Sequence, residues 1–127
     1  MAIRRGDETI WGEADSVSPL PGIPAWHVET PSHGGYAVEE DWAEGHLSPA
    51  LFAALGNPAE FGHYWFEEDC DWCLPVLDSP AFAAAAAAEW FATSPMKDEA
   101  RLDRLMDLAL DTAGRWQGGY LAATGRS

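Results

Sequence analysis

The chain has 127 residues, of which 47 % are hydrophobic, with seven tryptophans and a formal net charge of −14. This composition excludes a disordered acidic tail, because such segments contain few aromatic residues and the aromatic content here is 12 %. It also argues against direct nucleic-acid binding, since the seven lysines and arginines lie near the termini and in the last predicted helix and form no basic patch.

The charge is distributed unevenly along the chain. No lysine or arginine occurs between Arg5 and Lys97, whereas residues 6–96 contain sixteen aspartates and glutamates. A long segment of one sign projects a potential that attracts cationic partners and repels nucleic acid and anionic membranes. The charge pattern therefore predicts a basic protein surface as the partner.

The location predicted from the sequence is the cytoplasm. No apolar run reaches the ~20 residues that a membrane span requires, and the first residues lack the apolar core of a signal peptide. Two cysteines three positions apart do not form a disulfide framework, which agrees with a reducing compartment. We therefore expect no membrane partner.

The first half of the chain predicts a small antiparallel sheet. Residues 1–24 are expected to be irregular, because segment 18–24 is rich in proline. Residues 25–30 and 36–40 predict a β-hairpin with a glycine-containing loop, and residues 62–67 predict a third strand. Ser48 and Pro49 are typical of a helix start, and Gly56 marks the end of that short helix.

The second half predicts a helical hairpin over residues 79–117. Ser79 and Pro80 begin the first helix, which extends over residues 81–93. Ser94 and Pro95 repeat this signal for the second helix, which is ended by Gly114 or by the Gly118–Gly119 pair. Its apolar positions have the spacing of one buried face: Leu102, Leu105, Met106, Ala109 and Leu110.

These elements predict a single α+β domain over residues 1–127. An irregular segment, 1–24, precedes a hairpin, a short helix and a third strand in residues 25–78. The small sheet is expected to pack on the helical hairpin and the short helix.

Three groups of carboxylates are predicted to bind the partner. On the last helix, carboxylates recur every fourth residue and lie about 6 Å apart along one face. A second group follows the hairpin, and a third follows the predicted third strand. If these strands pair, the second and third groups are expected to lie at one end of the sheet, with tryptophans as anchors for arginine. The three groups and the anchors are, in order, Glu99, Asp103, Asp107 and Asp111; Glu39, Glu40, Asp41 and Glu44; Glu67, Glu68, Asp69 and Asp71; and Trp42, Trp65 and Trp72.

A solvated surface is the alternative interpretation of these carboxylates. On the last helix, Asp111 is placed to pair with Arg115, Asp98 with Arg101 and Asp107 with Arg104, and exposed pairs of this kind are ordinary. The other two groups have no basic neighbour in sequence.

The Cys70–Cys73 pair has the spacing of half a zinc site or of a redox motif. A zinc site needs two further ligands, and no second CxxC pair or H-x₃₋₅-H spacing supplies them. A redox pair needs a lowered thiol pKa, which the neighbouring carboxylates oppose. The favoured interpretation is a pair of buried thiols beside a helix, with zinc as the main alternative.

The best enzyme hypothesis places a divalent cation between His33 and the carboxylates Glu67, Glu68 and Asp69. The signal is weak, because three consecutive side chains on a strand cannot all face one ion. The chain contains no motif of a nucleophilic serine, a phosphate-binding loop or a dinucleotide site.

Two segments, TPSHGGYAV and YWFEEDCDW, together with the later SPAF, resemble a domain of unknown function carried by plasmid- and phage-encoded proteins. The resemblance covers roughly residues 27–90 and implies that a turn leads into one strand and that an aromatic-Glu-Glu-Asp motif closes another strand before a helix. The N-terminal segment and the Asp-rich last helix lie outside the shared pattern. The residues that carry it are His33, Gly34, Gly35, Trp65, Glu67, Glu68, Asp69 and Trp72.

The resemblance implies a mobile element as the source and brings no biochemical activity with it. The chain looks like a small acidic anti-defence protein, of the anti-CRISPR or anti-restriction type. Because defence complexes expose cationic grooves for DNA, we expect a non-enzymatic inhibitor that covers such a groove and uses no cofactor. The alternative function is a small metal-dependent enzyme or zinc-binding domain, and an apolar patch that forms a homodimer is also left open.

Overall fold

The structure is a computed structural model that describes residues 2–126. Its strands are β1 (Glu8–Thr9), β2 (Gly12–Glu13), β3 (Ser16–Pro19), β4 (Ala25–Glu29), β5 (Gly34–Glu39) and β6 (His63–Glu67). Its helices are α1 (Glu40–His46), α2 (Pro49–Leu55), α3 (Cys73–Asp78), α4 (Pro80–Trp90), α5 (Asp98–Trp116) and α6 (Gly118–Ala123). The α+β class with an antiparallel sheet in the first half and helices in the second is confirmed.

The central sheet has four antiparallel strands in the order β3-β4-β5-β6, and β1 and β2 form a separate ribbon. Alternation along β5 sends Tyr36 and Val38 into the main core, which the helices complete. Ala37 points to the opposite face, where it packs with Val28 and Trp65 in a second cluster. Both faces of the sheet are therefore covered.

The N-terminal segment covers the second face, and the prediction that residues 1–24 are irregular is wrong. Trp11 meets Trp65 edge to face, with ring centroids 5.3 Å apart. β3 pairs with β4 from Ser16↔Glu29 to Pro19↔Trp26. Proline has no backbone N–H to donate. It is tolerated in β3 because this edge strand has a neighbour on one side only.

Two of the three helix starts that the sequence indicated, at Ser48 and Ser79, are confirmed, and the one at Ser94–Pro95 is wrong because α5 begins at Asp98. The hydroxyl of Ser48 accepts a hydrogen bond from the amide of Leu51 at 3.2 Å, and that of Ser79 accepts one from Phe82 at 3.1 Å. Gly56 ends α2 in the left-handed conformation, with φ of 73°. These caps satisfy backbone groups that the first and last helical turns leave unpaired.

The last two predicted helices differ from the expectation at their ends. α4 stops at Trp90, and α5 begins at Asp98, continues through Gly114 and ends at Trp116. The Gly118–Gly119 pair begins α6 instead of ending a helix. α1 is not among the predicted elements, whereas α3 follows the EED motif, where the resemblance implies a helix. Within residues 2–126, no helix is both long and apolar enough to cross a membrane.

The buried face of α5 is narrower than predicted. Leu105, Ala109 and Ala113 are buried, whereas Leu102 and Leu110 are 36 % and 43 % exposed. Met106 and Leu108 are partly buried and also pack against the core, and α5 contacts both α3 and α4.

One carboxylate joins three of the helices. Asp78, at the end of α3, accepts hydrogen bonds from the amide and the hydroxyl of Ser48 at 2.7 and 2.6 Å. It also accepts one from the phenol of Tyr120 in α6 at 2.9 Å. The N-terminus of α2 and the C-terminal helix are thereby fixed to the same point.

Two glycines allow β5 to approach its neighbours closely. A Cβ on Gly35 would lie 2.0 Å from the carbonyl oxygen of Phe66, and one on Gly34 would lie 2.9 Å from both the Glu68 carboxylate and the Val28 carbonyl. No larger residue fits either position without moving the backbone.

We expect Gly35→Ala to lower the free energy of unfolding by about 3 kcal/mol or more, because its methyl would collide with the backbone of β6. Urea unfolding followed by circular dichroism measures the change. Gly45→Ala is the control, since Gly45 lies in α1 with open space around it and alanine there should raise stability by about 0.5 kcal/mol. Equal stability of the two variants would contradict the close approach.

Candidate functional site: an acidic end of the sheet

The sheet brings carboxylates from separate segments to one of its ends. β4 ends at Glu29, which pairs with Gly34 at the start of β5, and β6 ends at Glu67, which pairs with Gly35. The amide of Asp15 donates to the carbonyl of Glu29 at 2.8 Å, and the amide of Glu68 donates to that of Gly34 at 2.8 Å. We call this group the acidic end: Asp15, Glu29, Glu67, Glu68 and Asp69.

Histidines are the basic side chains that contact the acidic end in the described part of the chain. Within residues 2–126, none of its carboxylates forms an ion pair with lysine or arginine; His27 Nε2 lies 3.8 Å from Glu29, and His33 Nδ1 lies 3.7 Å from Glu67. Four of the five residues are exposed, and Glu67 is half-buried. Surplus negative charge therefore faces solvent here.

Glu67 also shapes the turn that follows β6. Its Oε2 accepts hydrogen bonds from the amide of Asp69 at 3.3 Å and from the thiol of Cys70 at 3.2 Å. The predicted association of His33 with this cluster is present as the contact with Glu67. Glu67 is therefore a structural carboxylate, and Glu68 and Asp69 are the freely presented ones.

Sequence reasoning missed Asp15 and Glu29. Each is isolated in sequence, so neither belongs to a visible acidic run. The predicted hairpin could have placed Glu29 at this site, because the end of β4 and the start of β5 must lie side by side.

The second and third predicted clusters do not share an end of the sheet, and that prediction is wrong. Glu39 pairs with His63 at the start of β6, while Glu67 pairs with Gly35 at the start of β5. β5 and β6 are antiparallel neighbours, so residues that follow each of them lie at opposite ends.

The carboxylates at the opposite end of the sheet lie in or next to α1. Glu40 and Asp41 occupy its first turn, where negative charge is favoured by the helix dipole. Glu44 accepts a hydrogen bond from the phenol of Tyr64 at 2.8 Å.

Asp71 has a hydrogen-bond partner directly after α5. Its carboxylate accepts a hydrogen bond from the side-chain amide of Gln117 at 3.0 Å, and the same amide group donates to the carbonyl of Cys70 at 3.1 Å. Burial raises the pKa of Asp71, partly offset by side-chain hydrogen bonds from Cys70 and Gln117. Asp71 thus fixes the end of α5 to the turn before α3.

The predicted aromatic anchors occupy different environments. Trp65 is 6 % exposed and lies in the core beneath the N-terminal segment, which removes it from any surface. Trp42 is half-buried and stacks on His46 with ring centroids 4.3 Å apart. Trp72 is 7 % exposed and lies beside Trp90, so it remains close to the acidic end.

The carboxylates that recur every fourth residue on α5 are all exposed, as their spacing predicts. They are Glu99, Asp103, Asp107 and Asp111. Two of the anticipated ion pairs are present: Arg115 with Asp111 at 3.2 Å and Arg101 with Asp98 at 3.6 Å. Arg104 and Asp107 form none within the described residues. The helix thus carries basic residues next to its acidic ones, unlike the acidic end.

The two cysteines are free thiols that ionise reluctantly. Burial, together with Glu67 and Asp71, raises the pKa of Cys70 to about 12, and burial raises that of Cys73 to about 12. The half-buried Cys70 and the buried Cys73 match the favoured interpretation of the motif. In the part of the chain that is described, no group of three or more His, Cys, Asp or Glu residues is placed to hold a metal ion.

His27 links the sheet to α4 beside the acidic end. Its Nδ1 lies 3.2 Å and 3.3 Å from the two carboxylate oxygens of Glu89. The hydrogen bond to Glu89 raises the pKa of His27, burial opposes this, and the charges of Glu89, Glu29 and Glu68 add to the increase. Glu89 is therefore the nearer carboxylate to His27, with Glu29 on the other ring nitrogen at 3.8 Å.

Slow alkylation of both cysteines is expected in the native protein, because the thiolate is the nucleophile. At pH 8, iodoacetamide should react at least about a hundredfold more slowly than with the same chain in urea, where thiol pKa values return to about 8.5. Mass spectrometry over time measures both rates. Equally fast labelling of Cys70 in the folded protein would contradict the raised pKa.

The contribution of His27 to stability should be lost as the pH rises. Its folded pKa lies above the unfolded value of about 6.5, so the contribution is complete below that pH and declines as the pH passes the folded pKa. Urea unfolding should therefore show that His27→Gln is more destabilising at pH 6 than at pH 9. Most of that difference should vanish in a Glu89→Gln background, and its persistence there would assign the effect to another group.

The similarity to known families extends over most of the chain. A family described as "Domain of unknown function (DUF7007)" matches residues 4–118. The match includes the N-terminal segment and all of α5, so the expectation that both lie outside the shared pattern is wrong. No curated protein and no solved structure matches the chain. The chain therefore belongs to the DUF7007 family of domains of unknown function.

Proposed function

We propose that this protein is a non-enzymatic inhibitor that uses the acidic end to cover a cationic, DNA-binding surface of another protein. The observation that carries the proposal is the convergence of carboxylates from separate segments on one end of the sheet, without a lysine or arginine partner among residues 2–126. Carboxylates held by strand ends and tight turns are preorganised, which lowers the ordering cost of binding.

The partner class follows from charge. Proteins that bind nucleic acid expose basic patches for phosphates, and a surface of opposite charge is steered toward them. The net charge of −14 gives a long-range attraction that should weaken as salt is added. We propose that the partner acts in the cytoplasm.

A host defence complex is the proposed target. The likeness of the HGG turn and the EED motif to a plasmid- and phage-borne domain favours a role against systems that cleave foreign DNA. CRISPR effectors and restriction enzymes both present cationic DNA-binding grooves, and covering such a groove needs no catalysis.

Phage plating on a panel of hosts tests this function. Each host carries one active CRISPR or restriction system and is assayed with and without this protein. We expect plating to recover on hosts with one system only, because recognition of a particular groove adds specificity to the general attraction between charges. No recovery on any host would reject the inhibitor proposal.

Two neutralised variants with equal charge locate the surface. The first carries Asp15→Asn, Glu29→Gln, Glu68→Gln and Asp69→Asn; the second carries Glu99→Gln, Asp103→Asn, Asp107→Asn and Asp111→Asn. Each removes four negative charges, so only the position differs. We expect the recovered plating efficiency to fall at least about tenfold with the first variant and to stay mostly unchanged with the second. Equal loss in both would assign the effect to total charge.

A further inference from the structure

A small cavity opens beside the acidic end. It has a volume of about 220 Å³, and its walls include Glu29, Glu68, Trp72 and Trp90. Trp90 is 46 % exposed and Glu29 and Glu68 are also exposed, so the cavity is accessible from solvent. Drug-sized ligands usually occupy about 300 Å³ or more, so the volume suits a single side chain.

The walls combine negative charge with aromatic rings. The rings of Trp72 and Trp90 lie 5.6 Å apart at 40° to each other. His27 also lines the cavity, and its two ring nitrogens lie 3.8 Å from Glu29 and 3.2 Å from Glu89. Tryptophan faces attract cations, and the carboxylates of Glu29 and Glu68 in the cavity wall add to that attraction.

A buried hydroxyl without a partner lies next to this cavity. Tyr36 forms part of the cavity wall and is 2 % exposed, and its OH group has no hydrogen-bond partner among residues 2–126. An unsatisfied buried polar group costs about 1–3 kcal/mol, so its retention calls for an explanation.

We propose that this cavity binds the guanidinium group of an arginine side chain from a protein partner. The guanidinium stacks on a tryptophan face while its five N–H groups reach carboxylates on two sides. A lysine ammonium is a more strongly hydrated point charge and offers fewer donors. The inference rests on the proposed function, in which the arginine belongs to the cationic surface of the partner. It identifies the chemical group on that surface that this protein recognises.

Titration with a short peptide tests the site directly. The probe is capped Gly-Arg-Gly, and the comparison peptides carry lysine or the uncharged isostere citrulline in place of arginine. The indole N–H resonances of Trp72 and Trp90 report binding by NMR. We expect saturable shifts with arginine, weaker binding with lysine and at least about tenfold weaker binding with citrulline.

Variants separate the cavity from the general charge. Trp90→Ala should weaken arginine binding at least about tenfold, and Trp116→Ala, which removes an indole that is 64 % exposed outside this cavity, should leave it unchanged. Should Trp90→Ala fail to fold, Glu68→Gln at an exposed position replaces it, with Trp72 and Trp90 as reporters. Shifts that do not saturate, equal affinity for citrulline, or unchanged affinity in the cavity variant would overturn the proposal.

Phage plating distinguishes failure of the cavity from failure of the proposed function. Plating that recovers although the peptide does not bind would exclude the cavity and leave the acidic end as the inhibitory surface. Saturable, cavity-dependent peptide binding without recovery on any host would support the arginine site and reject the inhibitor.

Discussion

The close approach of β5 to β6 at Gly35 is the constraint on which the sheet and its acidic end depend. The backbone oxygen of Phe66 occupies the space in which any other residue would carry its Cβ. This contact holds the pairing of Gly35 with Glu67, and Gly34 likewise leaves room for the Glu68 carboxylate. The glycine pair therefore determines both how the strands pair and where the carboxylates emerge. A one-residue shift of β6 would send Phe66 out of the core and displace the charges with it.

Coverage of both faces of the sheet explains why charge accumulates at its ends. The helices bury one face and the N-terminal segment buries the other, so solvent meets the strands mainly where they terminate. Like charges gathered there repel one another and oppose compactness. The aromatic contacts on both faces, such as Tyr36 with Phe82 and Trp11 with Trp65, supply the opposing stabilisation.

Elements that depend on nearby residues could be predicted from the sequence. Elements that depend on partners distant in the chain could not. Ser48 and Ser79 cap helices through bonds to residues three positions away, so the sequence alone identifies them. β3 is stabilised by pairing with β4, which outweighs the local preference of Pro19 against strands. Likewise, Asp15 and Glu29 join one site only through strand register, and α1 is too short for its period to stand out. The Glu39 and Glu67 groups lie at opposite ends of the sheet, and this could be predicted only from the directions of β5 and β6.

The hydrogen bonds at Asp78 have a consequence for the extent of the domain. The family match ends at residue 118, but Tyr120 and Leu121 are buried with the core, and the phenol of Tyr120 satisfies the carboxylate of Asp78. That carboxylate also receives the amide and hydroxyl of Ser48, so a half-buried charge depends on a group beyond the matched range. We therefore expect a stable domain to need α6 as well as the region defined by sequence similarity.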